Sequence, residues 1–196
     1  MKSVVQIGLQ TFFVEEKFLG TQGLTIIHTG DGKGKSTAAF GLAIRAYGAG
    51  LNVLILQFIK GKQISGELNA LNLLTKIPAE NKIEIRQCGL GFIDKNKIDE
   101  HIAAAESALE VARAEILSGK WNLIILDEVI YSVKFNLIDA EKVLELIKIR
   151  PSELHLVLTG RNAPQILIDA ADLVTEMTLI KHPFQRGVKA QRGIEF

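Results

Sequence analysis

Short apolar runs alternate along the chain with longer stretches whose apolar positions recur every three or four residues. The short runs fall at 24–28 (LTIIH), 53–58 (VLILQF), 83–86 (IEIR), 123–126 (LIIL), 154–158 (LHLVL) and 173–177 (LVTEM). Several are apolar at consecutive positions, as strands covered by helices on both faces must be. The clearest helical period spans 97–118, where Ile98, Ile102, Ala105, Leu109, Ala112 and Ile116 line one stripe and Gly119 supplies a stop. Shorter helices are expected at 139–148 and 163–170, and another directly after the glycine-rich turn at 30–34. Strands alternating with helices predict a three-layer α/β fold with a mainly parallel sheet. With no repeat, low-complexity tract or linker in view, one domain is expected over 24–196, preceded by a segment, 1–23, of uncertain role.

Composition narrows the partners. Across 196 residues, 23 basic and 22 acidic side chains leave a net charge of +1. That balance carries no footprint for nucleic acid or an anionic membrane. No run of apolar residues is long enough to span a bilayer, and the N-terminus lacks the cleavage site of a signal peptide. Cys88 is the single cysteine. It can form no internal disulfide and no multi-cysteine metal site, which suits a reducing, cytoplasmic compartment, and it reads as a small core residue.

The segment 24–45 carries the first candidate chemistry. An apolar strand enters Thr29-Gly30-Asp31-Gly32-Lys33-Gly34-Lys35-Ser36-Thr37, and good helix formers follow. Gly30, Gly32 and Gly34 let the backbone curl with its amides turned inward. The new helix adds its positive N-terminal end. Lys35 can reach phosphate oxygens, and Ser36 holds the hydroxyl position that commonly ligates magnesium. This is a P-loop of altered spacing: the usual pattern places a glycine where Thr29 stands, so the first glycine comes one residue late and Lys33 is an extra cation. The expected ATP-binding set is Gly30, Asp31, Gly32, Lys33, Gly34, Lys35, Ser36 and Thr37. Arg45, further along the same helix, either reaches the nucleotide or lies on the helix surface.

The apolar strand at 123–126 runs into Asp127 and Glu128. At a strand end beside a P-loop, a carboxylate can hold Mg2+ directly or through water. Ser36, Asp127 and Glu128 are the candidate metal ligands, and the sequence leaves open which acid touches the ion. Arg161 follows another strand end, where a ligand contact is expected.

Beyond these motifs stand Gln57-Phe58-Ile59-Lys60-Gly61, Leu126-Asp-Glu-Val-Ile-Tyr131, Leu158-Thr-Gly-Arg161, Ala171-Asp-Leu-Val-Thr-Glu-Met177 and a tail from Lys181 to Glu195. Together with the loop, this ordered set resembles the ATP:corrinoid adenosyltransferases of the cobalamin pathway, and the resemblance covers nearly everything from Leu24 onward. It implies a RecA-like P-loop fold, a homodimer, and transfer of the 5′-deoxyadenosyl group of ATP to the cobalt of a reduced corrinoid, with triphosphate leaving. ATP would lie in the loop in a reversed sense, which fits the altered spacing. An external reductant such as a flavoprotein is implied as a partner, and no nucleic acid or membrane. Cobalt(I) is itself a strong nucleophile, so the protein must position C5′ and stabilise charge on the leaving triphosphate. Lys33, Lys35 and Arg161 suit that catalytic task. The family commonly shows Gly-Phe-Thr-Trp where this chain has Gly91-Phe92-Ile93-Asp94. Phe92 is thus the expected corrinoid contact, against the plainer reading of a core phenylalanine, while Asp94 departs from the tryptophan. The basic tail (Lys181, His182, Arg186, Lys189, Arg192) is expected to border one of the two substrates, with His182 structural. Competing readings from the loop alone are an ATPase or small-molecule kinase, and a nucleotide or corrinoid carrier or sensor without catalysis.

Overall fold

The computed structural model describes residues 22–61, 65–76 and 78–194, together with two strands near the N-terminus, β1 (Val4–Ile7) and β2 (Gln10–Phe13). Those two pair antiparallel, with Val4 opposite Phe13 and Ile7 opposite Gln10; the remainder of the segment 1–23, apart from its last two residues, lies outside the described residues.

Six further strands form one sheet: β3 (Thr25–Thr29), β4 (Val53–Gln57), β5 (Ile83–Gln87), β6 (Leu123–Asp127), β7 (His155–Thr159) and β8 (Leu173–Glu176). Their order is β5-β4-β6-β7-β3-β8, and every neighbouring pair is parallel. The helices are α1 (Lys35–Gly48), α2 (Gly66–Leu74), α3 (Ile98–Leu117), α4 (Val129–Lys134), α5 (Ala140–Ile149) and α6 (Gln165–Asp169).

Successive strand residues point to opposite faces, and the core accordingly divides in two. Val53, Ile55, Leu123, Ile125 and Val157 pack with Ala39, Phe40 and Ala43 of α1 and Leu71 of α2. Leu54, Leu56, Ile124, Leu126 and Leu158 pack on the other side with the α3 stripe, with Val143 and Leu146 of α5, and with Leu167 of α6. The result is the expected three-layer α/β architecture with a parallel sheet.

The sequence pattern missed β1, β2, α2 and α4. Helix α4 has six residues, too few to show a period. In α2 only Leu71 is buried, so no apolar stripe marks it; its start is fixed by Ser65, whose hydroxyl accepts from the Leu68 amide at 3.2 Å. Among the described residues no helix is long and apolar enough to cross a membrane. Because all six strands run the same way, the loops after β3, β4, β6 and β7 collect at one edge of the sheet, where parallel α/β proteins bind ligands.

Candidate active site

The glycine-rich loop leaves β3 at Thr29 and enters α1 at Lys35. Two of its glycines are needed because another backbone passes close by. A Cβ on Gly30 would stand 2.5 Å from the Met177 carbonyl oxygen, and one on Gly32 2.6 Å from the same atom. Gly34 serves differently: its φ of 110° is left-handed, where glycine is at ease, and it caps α1. The Gly32 amide does not turn inward as the sequence suggested. It donates to Met177 O at 2.6 Å, so the chain after β8 braces the loop from outside. Thr29, standing where the usual pattern has glycine, is buried, and its Oγ1 accepts from the Ala163 amide at 3.0 Å. The altered spacing therefore ties the phosphate loop to the loop that carries Arg161.

Lys35 reaches back across the loop mouth, its Nζ donating to Gly30 O at 2.7 Å and Gly32 O at 2.6 Å. Burial, followed by the charge of Arg161, pulls its pKa below the usual lysine value, while Asp31 and Glu128 oppose that shift. Arg161 Nη1 lies 3.7 Å from Asp31 Oδ1, closing the outer side of the same mouth.

The two adjacent acids divide their work. Asp127 is fully buried at the end of β6. Its Oδ2 accepts from Gln57 Nε2 at 3.0 Å and its Oδ1 from Thr159 Oγ1 at 2.8 Å. The Thr159 oxygen in turn accepts from the Glu128 amide at 2.9 Å. Three strand ends are thus locked by one buried network. Glu128 adopts a left-handed φ of 63°, caps α4 and lines the open cleft. Burial, and next the Asp127 charge, push its carboxyl up to about 7; Lys60 and Lys35 pull the other way.

The cleft has a volume of about 720 Å3 and a mixed lining. Gly32 to Thr37 of the loop, Lys60, Glu67, Lys95, Glu128 and Arg161 contribute backbone and charged groups. Ile59, Phe92, Ile93, Ile98, Tyr131 and Phe135 contribute apolar and aromatic ones. Phe92 is not a core residue: it is 87% exposed, on the cleft wall. Tyr131 and Phe135, one turn apart along α4 and its C-terminal end, meet edge to face with ring centroids 4.7 Å apart.

Other expected residues sit elsewhere. Arg45 is exposed in the last turn of α1, ten residues and therefore about 15 Å of helix from Lys35, and it does not line the cleft. Asp127 stands behind the wall, with both carboxylate oxygens already bonded. Asp94 caps a short turn, its Oδ1 accepting from the Asn96 amide at 2.9 Å. Cys88 packs partly against the core, and burial raises its pKa. No described tail residue lines the cleft. His182 is structural, its Nδ1 accepting from the Phe184 amide at 3.1 Å. Sequence reasoning gave no role to Lys60, Tyr131 or Thr159, which lie in the motifs that carry the resemblance, and did not name Phe135. The spacing of Tyr131 and Phe135 just beyond Glu128 was the available signal. Among the described residues no three His, Cys, Asp or Glu side chains converge as a metal cluster; the oxygen donors lining the cleft include Ser36, Thr37, Glu128 and Thr159.

Residues 21–196 match the family model described as ATP:corrinoid adenosyltransferase BtuR/CobO/CobP. A corrinoid adenosyltransferase of Pseudomonas aeruginosa is 39% identical over 175 residues, covering 89% of this chain and 84% of that protein. One from a Sinorhizobium species is 40% identical over 187 residues, covering 92% and 86%. The Salmonella typhimurium corrinoid adenosyltransferase CobA is 35% identical over 175 residues, covering 89% and 86%. Among solved structures, a KaiC-like protein of Pyrococcus horikoshii superposes with a TM-score of 0.51 at 16% identity, over 82% of this chain and 75% of that one, a likeness of fold. The chain belongs to the ATP:corrinoid adenosyltransferase family BtuR/CobO/CobP, enzymes of cobalamin biosynthesis that transfer the adenosyl group of ATP to a corrinoid.

Proposed function

We propose that ATP binds with its triphosphate in the glycine-rich loop and its C5′ turned towards the aromatic residues of the cleft, where the reduced corrinoid sits. The carrying observation is one cleft lined both by Lys33, Lys35, Ser36 and Arg161 and by Phe92, Tyr131 and Phe135. The cobalt(I) lone pair attacks C5′, a cobalt–carbon bond forms, the C5′–oxygen bond breaks, and triphosphate departs with the electron pair. No protein nucleophile is needed for that step. The protein's part is to hold the two reactants in line and offset charge on the leaving group.

Lys35, Lys33 and Arg161 are the groups assigned to that charge, with Asp31 holding Arg161 at the loop mouth. The bonds from Lys35 to two loop carbonyls keep its ammonium at the mouth until phosphate oxygens replace them. Gly30, Gly34, Ser36 and Thr37 complete the nucleotide site. Arg45 has no part in it within one chain.

A hydroxyl and a carboxylate suit a hard cation that keeps most of its shell for phosphate oxygens and water. Ser36 and Glu128 are therefore the residues that would hold Mg2+, and Asp127 acts behind them through Thr159. Mg2+ there would supply positive charge to the triphosphate. Phe92, Tyr131 and Phe135 form the corrinoid wall.

The functional unit is the segment 24–196, in line with the family match over 21–196. A homodimer, an external reductant of flavoprotein type and a cytoplasmic location complete the reading; they rest on the family resemblance and on the need to make cobalt(I).

The test is an anaerobic assay with ATP, Mg2+ and chemically reduced cob(I)alamin, following the corrinoid spectrum and identifying the phosphate product. One triphosphate per adenosylated corrinoid is expected. Release of ADP without a cobalt–carbon bond would refute the assignment.

A further inference from the structure

An exposed aromatic side chain on a free loop would have to be ordered on binding, at a cost to affinity. Phe92 is held from both sides instead. Before it, the Gly91 amide donates to Ile59 O at 2.8 Å. Gly89 packs so tightly on the same loop after β4 that a Cβ there would stand 2.3 Å from that oxygen. After it, the Asp94 amide donates to His101 Nε2 at 3.1 Å.

His101 lies in the first turn of α3 and is only 7% exposed. Its position is therefore set by the helix and the core around it. An accepting Nε2 places the ring proton on Nδ1. The Asp94 carboxylate then caps the turn Lys95–Lys97, which leads into α3 at Ile98. The stretch from Gly91 to Asp94 thus spans two anchors, one on the β4 loop and one on α3, with Phe92 between them facing the cleft.

We propose that His101 is a positioning residue for the corrinoid: by holding the Asp94 amide it fixes Phe92 on the wall of the cleft that also carries Tyr131 and Phe135. The inference rests on the reading of Phe92 as a corrinoid contact.

The test compares His101→Leu, His101→Gln, Phe92→Ala and the double variant Phe92→Ala/His101→Leu, measuring KM for cob(I)alamin and for ATP separately. His101→Leu removes the acceptor and should raise the corrinoid KM roughly five- to tenfold, the effect of losing one buried hydrogen bond, with the ATP KM unchanged. Glutamine keeps an acceptor oxygen and should recover most of the loss. In the Phe92→Ala background, His101→Leu should add nothing, because both changes remove the same contact. A rise in both KM values, a glutamine variant as impaired as leucine, or additive effects in the double variant would overturn the proposal. If Phe92→Ala itself leaves the corrinoid KM unchanged, the corrinoid reading of Phe92 falls and this inference with it; if Phe92→Ala raises it while His101→Leu does not, only the positioning role falls. Amide hydrogen exchange on the unaltered protein gives a check that needs no variant. The Asp94 amide should be protected relative to that of Lys95, and equal rates would overturn the proposal.

Discussion

Glu128→Gln separates what the site costs the fold from what it gives the reaction. The Glu128 carboxyl titrates near 7 in the folded protein, against an ordinary value of 4.5, chiefly because it is buried and secondarily because Asp127 is beside it. Below pH 4.5 the carboxyl is protonated in both folded and unfolded chains and has no effect on stability. Between 4.5 and about 7 the unfolded chain ionises while the folded one holds its proton, so this group's contribution to stability falls as pH rises. Above 7 both are ionised and the loss is complete, at about 3 kcal/mol for a shift of that size. Glutamine fills the same space with no charge to desolvate. Without nucleotide, the variant and the unaltered protein should melt alike near pH 4.5. The variant should gain progressively through pH 6 and reach its full advantage by pH 8, up to about 6–12 °C in Tm for a chain of this length. Calorimetric or circular-dichroism melts at those three pH values measure it, and titrations common to both proteins cancel in the difference. A pH-independent difference, or a variant less stable than its parent at pH 8, would refute the reasoning. The same variant should adenosylate corrinoid roughly 10–100-fold more slowly if Glu128 holds Mg2+. Gaining stability while losing turnover is the mark of a residue retained for function.

Lys35→Ala should abolish the rise in Tm that ATP produces, since the loop mouth loses its central cation; a normal nucleotide-induced shift would sink the phosphate assignment. Gly32→Ala puts a Cβ 2.6 Å from Met177 O. It should cost about 1–3 kcal/mol and weaken ATP binding, whereas an unchanged Tm would mean that the brace after β8 yields freely. Gly41→Ala fills open space on the exposed face of α1. It should stabilise the protein by about 0.5–1 kcal/mol with activity intact, which a denaturant titration checks; destabilisation would show that this face is covered.

The six strands of the main sheet were legible because each is an apolar run, but most were read one residue short at the C-terminal end. The missing residues have a common character. Thr29, Gln87, Asp127 and Thr159 are polar, so hydropathy assigns them to loops, yet each continues its strand. Three of them are buried because hydrogen bonds satisfy them: Thr29 through Ala163, and Asp127 and Thr159 through each other. Burial of a polar side chain depends on a partner from a distant strand, and local pattern carries no trace of it. Phe92 errs in the opposite direction. Hydropathy places a phenylalanine inside, whereas the two-sided anchoring of its loop holds it out.

The candidate site follows the same logic. Its glycines and cations were legible because the P-loop is local: strand, turn and helix lie within some twenty residues, and backbone geometry dictates which of them must be small. The division of labour between Asp127 and Glu128 was not, since two adjacent acids are equivalent on paper. Strand order breaks the tie. With β4 beside β6 in parallel register, Gln57 lies opposite Asp127, and its amide takes one carboxylate oxygen. With β7 on the other side, Thr159 takes the second. An acid so enclosed is fully buried and does not line the cleft, whereas the left-handed turn at the next residue carries Glu128 out of the sheet and onto the cleft wall. Gln57 stands in the sequence just before Lys60 and seventy residues before Asp127. Its meaning as the partner that holds one acid inside the sheet, while the other lines the cleft, exists only once the sheet has been assembled.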